Sequence, residues 1–248
     1  MPTYEPVTAI LRALNVLETI AVQGTSTIKS LHAATALPKA TLVRMVETLI
    51  HAGYVYSEGD APSYSLTARA LTLAGGFNQG RRLVTLLGPI LAEVQKSTRW
   101  PSDIGIFDRD AIVILETSRQ PGGLSVNWQV GSRLSPVRTA LGRAYLAFLP
   151  DDERGATLVA FSQTIGEPKD IGRFEASLAE VRSRGYALND QEDRPGIRSI
   201  AAPIFEGSKA VASVNISVVA EVMSMAELEE RHARQIVDMG KRMSAALA

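Results

Sequence analysis

The sequence predicts an α+β chain: a small helical domain at the amino end, then a larger domain built on a mainly antiparallel sheet. Three observations predict it. Residues 1–67 carry three apolar helical stripes followed by two short alternating runs. Gly75-Gly76 then interrupts the next helical stretch, and from Arg81 onward hairpin-like runs mix with helices.

In the first helix Ile10, Leu14, Leu17 and Ala21, flanked by Leu11 and Ile20, recur with helical period over Val7–Val22, and Gly24 ends the run. A short helix is expected over Ser26–Thr35 with Ile28, Leu31 and Ala34 inward. Ala36-Leu37 makes a tight corner, and Pro38 fits a first helical position, where its missing N–H costs nothing. Over Lys39–Ala52 the residues Leu42, Met45, Val46, Leu49 and Ile50 form the clearest stripe, closed by Gly53 as a C′ glycine. Tyr54–Tyr56 and Ser63–Leu66 read as strands around the polar turn Ser57–Pro62. Helix, helix, corner, helix, hairpin is the order of a winged helix-turn-helix.

Ala68–Gln79 reads as a connecting helix hinged at Gly75-Gly76, so the expected limits are 1–67 for the winged helix, 68–82 for the linker and 83–248 for the second domain. There the sequence predicts a helix Arg81–Lys96 ending before Trp100-Pro101, and β-rich runs at Asp103–Phe107, Ala111–Thr117 and Leu124–Trp128. Helices follow at Thr139–Leu149, Asp151–Phe161 and Arg173–Arg184, then buried strands at Ser199–Phe205 and Ala210–Val218. The last helix, Ser224–Leu247, opens with a capping box of Ser224 and Glu227. Its apolar stripe includes His232, read as a hydrogen-bonded core residue rather than a ligand.

Composition narrows the function classes. With 46% hydrophobic and 21% charged residues among 248, wholesale disorder is excluded, and the absence of cysteine removes disulfides, thiolate metal sites and cysteine nucleophiles. No apolar run reaches about 18 residues and the amino terminus lacks a signal peptide's basic region, so the chain reads as soluble and cytoplasmic, with no membrane partner. Net charge is zero, and the first 80 residues carry five charges of each sign. Bulk charge therefore weighs against a polyanion partner, and any such partner must be argued from local placement.

Catalytic signatures are missing. The three histidines, His32, His51 and His232, are not at metal-ligand spacing, and no nucleophile elbow, phosphate-binding loop or dinucleotide fingerprint occurs. No catalytic residue, metal or cofactor is assigned. A small-molecule enzyme carrying an accessory winged helix is the alternative, since a carboxylate pair leaves no spacing signature.

The outer face of the third helix points to double-stranded DNA. Lys39, Thr41, Val43, Arg44, Glu47 and Thr48 lie off its apolar stripe, with Lys39 and Thr41 at the amino-terminal end that a recognition helix inserts into the major groove. Lys39 would meet phosphate, Thr41 a base or phosphate, and Arg44 would fork onto guanine. Glu58 and Asp60 in the wing do not help that role. So few basic residues make one copy a weak binder, and two copies on two half-sites follow. A purely structural winged helix is the alternative at this point.

Two runs, Leu37-Pro38-Lys39-Ala40-Thr41-Leu42-Val43-Arg44 and Leu49-Ile50-His51-Ala52-Gly53-Tyr54-Val55, resemble the DNA-binding domain of IclR-type transcriptional regulators. The family's order continues through Gly131–Pro136, Thr139–Ala144, Arg184-Gly185-Tyr186 and Gly196–Ile204, so the resemblance spans nearly the whole chain. It implies a linker helix leading to a GAF/PAS-like effector-binding domain, a dimer or tetramer, and operator affinity tuned by a small organic acid. Carried over position by position, the effector pocket includes Ala140, Leu141, Gly142, Asn189, Ile197, Ser199, Asn215 and Ser217. Ala40 replaces the family's usual serine on the DNA face, and Asn189 and Ser199 stand where some members have aspartate and cysteine.

The residues support a pocket on their own account. Asn215 and Ser217 alternate in an apolar strand and so share a face, where they are satisfied either by a ligand or by neighbouring backbone and water. Arg138 or Arg198 would add a charge-assisted bond to a carboxylate at the start of the Thr139 helix. Trp100 and Trp128 would wall an aromatic ring or serve as rim or core. Trp100-Pro101-Ser102-Asp103 with Asn215 resembles the branch that controls aromatic-acid catabolism, which adds Trp100 and Asp103 to the expected effector site and an aromatic carboxylate as the effector.

Overall fold

The structure is a computed structural model that describes residues 4–59, 62–119, 128–165 and 168–248. The chain divides into two compact units, Met1–Asn78 and Gln79–Ala248. No helix is long and apolar enough to cross a membrane among the described residues.

In the first unit α1 spans Thr8–Gln23, α2 Ile28–Thr35 and α3 Lys39–His51, followed by the antiparallel pair β1 (Val55–Glu58) and β2 (Ser63–Leu66). This is the expected winged helix-turn-helix, and each junction has a local cause. Thr27 and Ser30 form a reciprocal capping box on α2. Ala36 takes the left-handed conformation at φ 56°, and His32 Nδ1 bonds the Leu37 carbonyl at 2.7 Å to close the corner. Pro38 sits one place earlier than expected: it is the N-cap, extended at ψ 139°, and its carbonyl accepts the first helical bond from Leu42. Gly53, at φ 76°, ends α3 in a Schellman motif, with Gly53 N bonded to Ile50 O and Tyr54 N to Leu49 O.

The core of this unit is Val16, Ile20, Leu31, Leu42, Val46, Val55 and Tyr64. One expected face is turned over. The α1 helix buries Val16 and Ile20 with Leu17 partly covered, whereas Ile10, Leu11, Leu14 and Ala21 are exposed. Apolar residues occur on more than one side of this helix, and the small core of the unit covers only one of them. Val7, Ile10, Leu11 and Leu14 are left as an open stripe at helical spacing.

Past β2 the chain makes a 3₁₀ turn, Ala68–Ala70, and a short α4, Leu71–Gly75. The expected continuous helix over Ala68–Gln79 is broken at Gly76-Phe77, next to the glycine pair, and α5 starts at Asn78 and runs to Thr98.

The second unit is organised by a sheet in the order β5-β4-β3-β8-β7-β6, with every pairing antiparallel. Its strands are β3 (Asp103–Asp108), β4 (Ala111–Thr117), β5 (Arg133–Leu134), β6 (Ala187–Asp190), β7 (Ile197–Glu206) and β8 (Lys209–Val219). On one face Ile200, Ala202 and Ile204 of β7 and Val214, Ile216 and Val218 of β8 pack with Leu83, Leu87, Leu91 and Val94 of α5 and with α10 (Met225–Ala245). On the other, Ile112, Ile114 and Ala201 pack under α6 (Ala140–Leu146), α7 (Asp151–Ala160) and α9 (Pro168–Arg184), with the short α8 (Ser162–Ile165) between the last two. The α+β expectation holds.

Three details differ. The run expected at Leu124–Trp128 lies outside the described residues except for Trp128, which is not in a strand. β5 and β6 are additional, and α9 begins at Pro168 rather than Arg173, with proline in the first helical position. His232 is buried and its Nδ1 bonds Gln235 Oε1 at 2.9 Å, as expected of a core histidine.

Candidate functional site

Two places carry polar groups that the fold does not consume. The first is the outer face of α3. Lys39, Ala40, Val43, Arg44 and Thr48 are exposed, and Thr41 is half-buried. Thr48 Oγ1 donates to the Arg44 carbonyl at 2.7 Å, so that hydroxyl proton is used within the helix. No side chain caps the amino end of α3, which leaves its first N–H groups open to an anion. Glu47 on the same face is exposed, and Asp60 lies outside the described residues.

The second is a cavity in the other unit, between the sheet and the start of α6. The register builds its floor. Asn189 of β6 pairs with Ser199 of β7, which pairs with Ser217 of β8, so three polar side chains form one row across three strands on the α6 side. Asn215 stands in the next row, opposite Ala201. Thr139, Ala140 and Leu141 form the roof, and Trp128, Leu134, Asp193, Arg194 and Ile197 complete the wall. The volume open to the centre of a water is about 20 Å³, room for about one water.

The floor is partly satisfied from within. Asn215 Oδ1 accepts from the Asp103 backbone N at 2.7 Å, and its Nδ2 donates to Ser217 Oγ at 3.2 Å. Asn189 Nδ2 donates to the Arg138 carbonyl. Ser199 Oγ has no hydrogen-bond partner among the described residues. At the wall, burial pushes the Asp193 carboxyl above its ordinary value, against the pull of Arg194 and Arg138.

The cavity thus gathers Trp128, Ala140, Leu141, Asn189, Ile197, Ser199, Asn215 and Ser217 from the residues that sequence reasoning singled out. Five others fall outside it. Trp100 packs against the opposite core, under α5 and α10. Asp103 is fully buried in a two-pronged ion pair with Arg119 and accepts from Thr117 Oγ1. Arg138 points away, with Nε and Nη2 both on the Glu192 carbonyl. Gly142 is a packing residue, because a Cβ there would lie 2.0 Å from the Pro136 carbonyl oxygen. Arg198 is held by Asp190 and by the carbonyls of Ala220 and Met223. α6 has seven residues, and Thr139 Oγ1 already accepts from Gly142 N. Thr139, the expected start of the helix at the site, also lines the cavity, and Leu134, Asp193 and Arg194 are additions that no periodicity marked.

A winged helix followed by an independent α+β unit with an internal cavity is the build of a two-domain transcriptional regulator. The family model described as the IclR helix-turn-helix domain matches residues 9–59, and that of the bacterial transcriptional regulator IclR C-terminal domain matches residues 78–245. The chain belongs to the IclR family of transcriptional regulators: it has a DNA-binding domain, and its family and relatives are regulators, not enzymes. Among relatives, the Pca regulon regulatory protein of Pseudomonas putida is 30% identical over 83% of this chain and 72% of its own length. Among solved structures, a transcriptional regulator from Rhodococcus sp. RHA1 is 28% identical with a TM-score of 0.73 over 98% of each chain. An IclR homologue from Microbacterium hydrocarbonoxydans, solved with 4-hydroxybenzoate, shares the fold at 20% identity, with a TM-score of 0.74 over 96% of this chain and 98% of that one.

Proposed function

We propose that this chain is a cytoplasmic regulator whose operator affinity is set by a small aromatic carboxylate bound beneath α6, where the cavity must widen beyond its one-water volume to admit it. The observation that carries the reading is the row Asn189–Ser199–Ser217, lying under the apolar Ala140 and Leu141 and beside Trp128, Leu134 and Ile197, with the Ser199 hydroxyl lacking a hydrogen-bond partner among the described residues. A pocket of this kind favours a mostly apolar ligand with a few polar atoms. The likeness to the Pseudomonas Pca regulon regulatory protein and the 4-hydroxybenzoate in the Microbacterium structure support the aromatic class.

On the DNA side, α3 enters the major groove with Lys39, Ala40, Thr41, Val43, Arg44 and Thr48 facing the duplex. Two copies bind as a dimer or a pair of dimers, and the open α1 stripe of Val7, Ile10, Leu11 and Leu14 supports self-association. Residues 68–82 connect the domains. The acid shifts operator affinity only by as much as its own affinity differs between the two arrangements of the pair.

The test is a salt titration of binding to DNA upstream of the protein's own gene, with and without benzoate and 4-hydroxybenzoate. Specific binding that either acid alters is expected. Binding that ignores both acids overturns the effector class, and no specific binding at low salt overturns the recognition helix. Arg44→Ala is expected to weaken operator binding about 10- to 100-fold, the worth of one bidentate guanine contact. Its thermal melting should stay unchanged, because the Arg44 side chain is exposed.

A further inference from the structure

Arginines crowd the cavity's surroundings, and most are already engaged. Arg143 clamps the Glu192 carboxylate through both terminal nitrogens, and Arg138 grips the carbonyl of the same residue. Arg198 is held by Asp190. These contacts fix both ends of the β6–β7 loop, which also closes on itself through Gly196 N and Gln191 Oε1 at 3.1 Å. Two charged residues remain on that fixed loop, Asp193 and Arg194, and both face the cavity. The Arg194 guanidinium lies 4.3 Å from the centroid of the Trp128 ring and makes no hydrogen bond or ion pair among the described residues.

We infer that Arg194, set over Trp128 and delivered by the clamped β6–β7 loop, anchors the effector's carboxylate and so sets the preference for acids over neutral aromatic compounds. The inference rests on the reading of the cavity as an aromatic-acid site and adds the group that reads the charge. A guanidinium presents paired donors matched to a carboxylate, and its place over the indole holds it without occupying those donors. It is the cationic side chain in the wall among the described residues. The half-buried position, shielded by Trp128, strengthens the pairing relative to an exposed one. Asp193, next in sequence and in the same wall, repels an anionic ligand and makes the site more demanding.

The experiment compares 4-hydroxybenzoate with its uncharged analogue 4-hydroxybenzamide by calorimetric titration of the full chain. The unaltered protein is expected to prefer the acid, and Arg194→Met to lose about 10- to 100-fold of acid binding while binding the amide as before. Arg194→Lys, which keeps the charge but not the fork, is expected to fall between them. Asp193→Asn is expected to tighten acid binding about threefold by removing a like charge.

An unchanged acid-to-amide ratio in Arg194→Met overturns the anchor and leaves the aromatic-acid reading standing. If the unaltered protein binds neither compound, that reading fails and the anchor with it. A loss of acid binding in Asp193→Asn equal to that in Arg194→Met assigns the contact to Asp193 and likewise overturns the proposal. Operator binding in the absence of ligand, expected to be unchanged in all variants, serves as the control for folding.

Discussion

Gly142→Ala is expected to destabilise the second unit by about 3 kcal/mol or more, the upper range for overpacking. A Cβ at this position would stand 2.0 Å from the Pro136 carbonyl oxygen and 2.4 Å from its carbonyl carbon and Cα. All three are backbone atoms, so no rotamer change relieves the overlap. Either α6 lifts off the sheet or the 135–139 segment moves. Both displace Thr139, Ala140 and Leu141, which roof the cavity. Denaturant unfolding should show an earlier transition for the unit that starts at Gln79, with operator binding by the winged helix kept at low temperature. Gly155→Ala is the matched control: it lies in α7 with open space around its Cβ, and should stabilise by about 0.5–1 kcal/mol. Equal effects at the two glycines would contradict the close approach of α6.

Asp103→Ala is expected to cost about 3–5 kcal/mol, the usual result of leaving one partner of a buried ion pair alone. Asp103 is completely buried and Arg119 nearly so, at 0% and 7% side-chain exposure. The guanidinium reaches both carboxylate oxygens, Nε at 3.2 Å and Nη2 at 3.0 Å, and Thr117 Oγ1 donates to the same group at 2.7 Å. The backbone N of Asp103 is the donor to Asn215 Oδ1, so loosening this strand end also releases a floor residue of the cavity. Sequence reasoning placed Asp103 among effector contacts. The structure makes it a support, and the difference is measurable. Lost ligand binding in Asp103→Ala should return on cooling or with osmolyte, which restore the fold. A direct contact would not be restored that way.

The winged helix was legible because its signals are local. The stripe Leu42, Met45, Val46 and Leu49 and the stop at Gly53 specify α3 without reference to the rest of the chain. The first helix was legible in extent but not in orientation, since Val16 and Ile20 compete with Ile10, Leu11 and Leu14 for the core and only packing decides. β5, with two residues, and β6, with the sequence Ala-Leu-Asn-Asp, have too little β-branched character to announce themselves. Pairing with β4 and β7 makes them strands.

The cavity floor was legible through alternation in β8 and through family resemblance. Its charged wall was not. Arg138, Arg194 and Arg198 look alike in sequence, and which one faces the cavity depends on which are already held by Glu192 and Asp190.

The grip on Glu192 has a consequence for how salt acts on this protein. Two guanidiniums fix one loop, and the paired carboxylate is 44% exposed, so dissolved ions reach the clamp. On the proposed reading, raising ionic strength would weaken phosphate contacts at the DNA face and, independently, slacken the loop that carries Arg194. If the cavity binds the effector as proposed, ionic strength acts on this regulator twice, once in how firmly it grips DNA and once in how sharply it senses its ligand. A cell that concentrates its cytoplasm would blunt the grip and the sensing together, with no change in the amount of either partner.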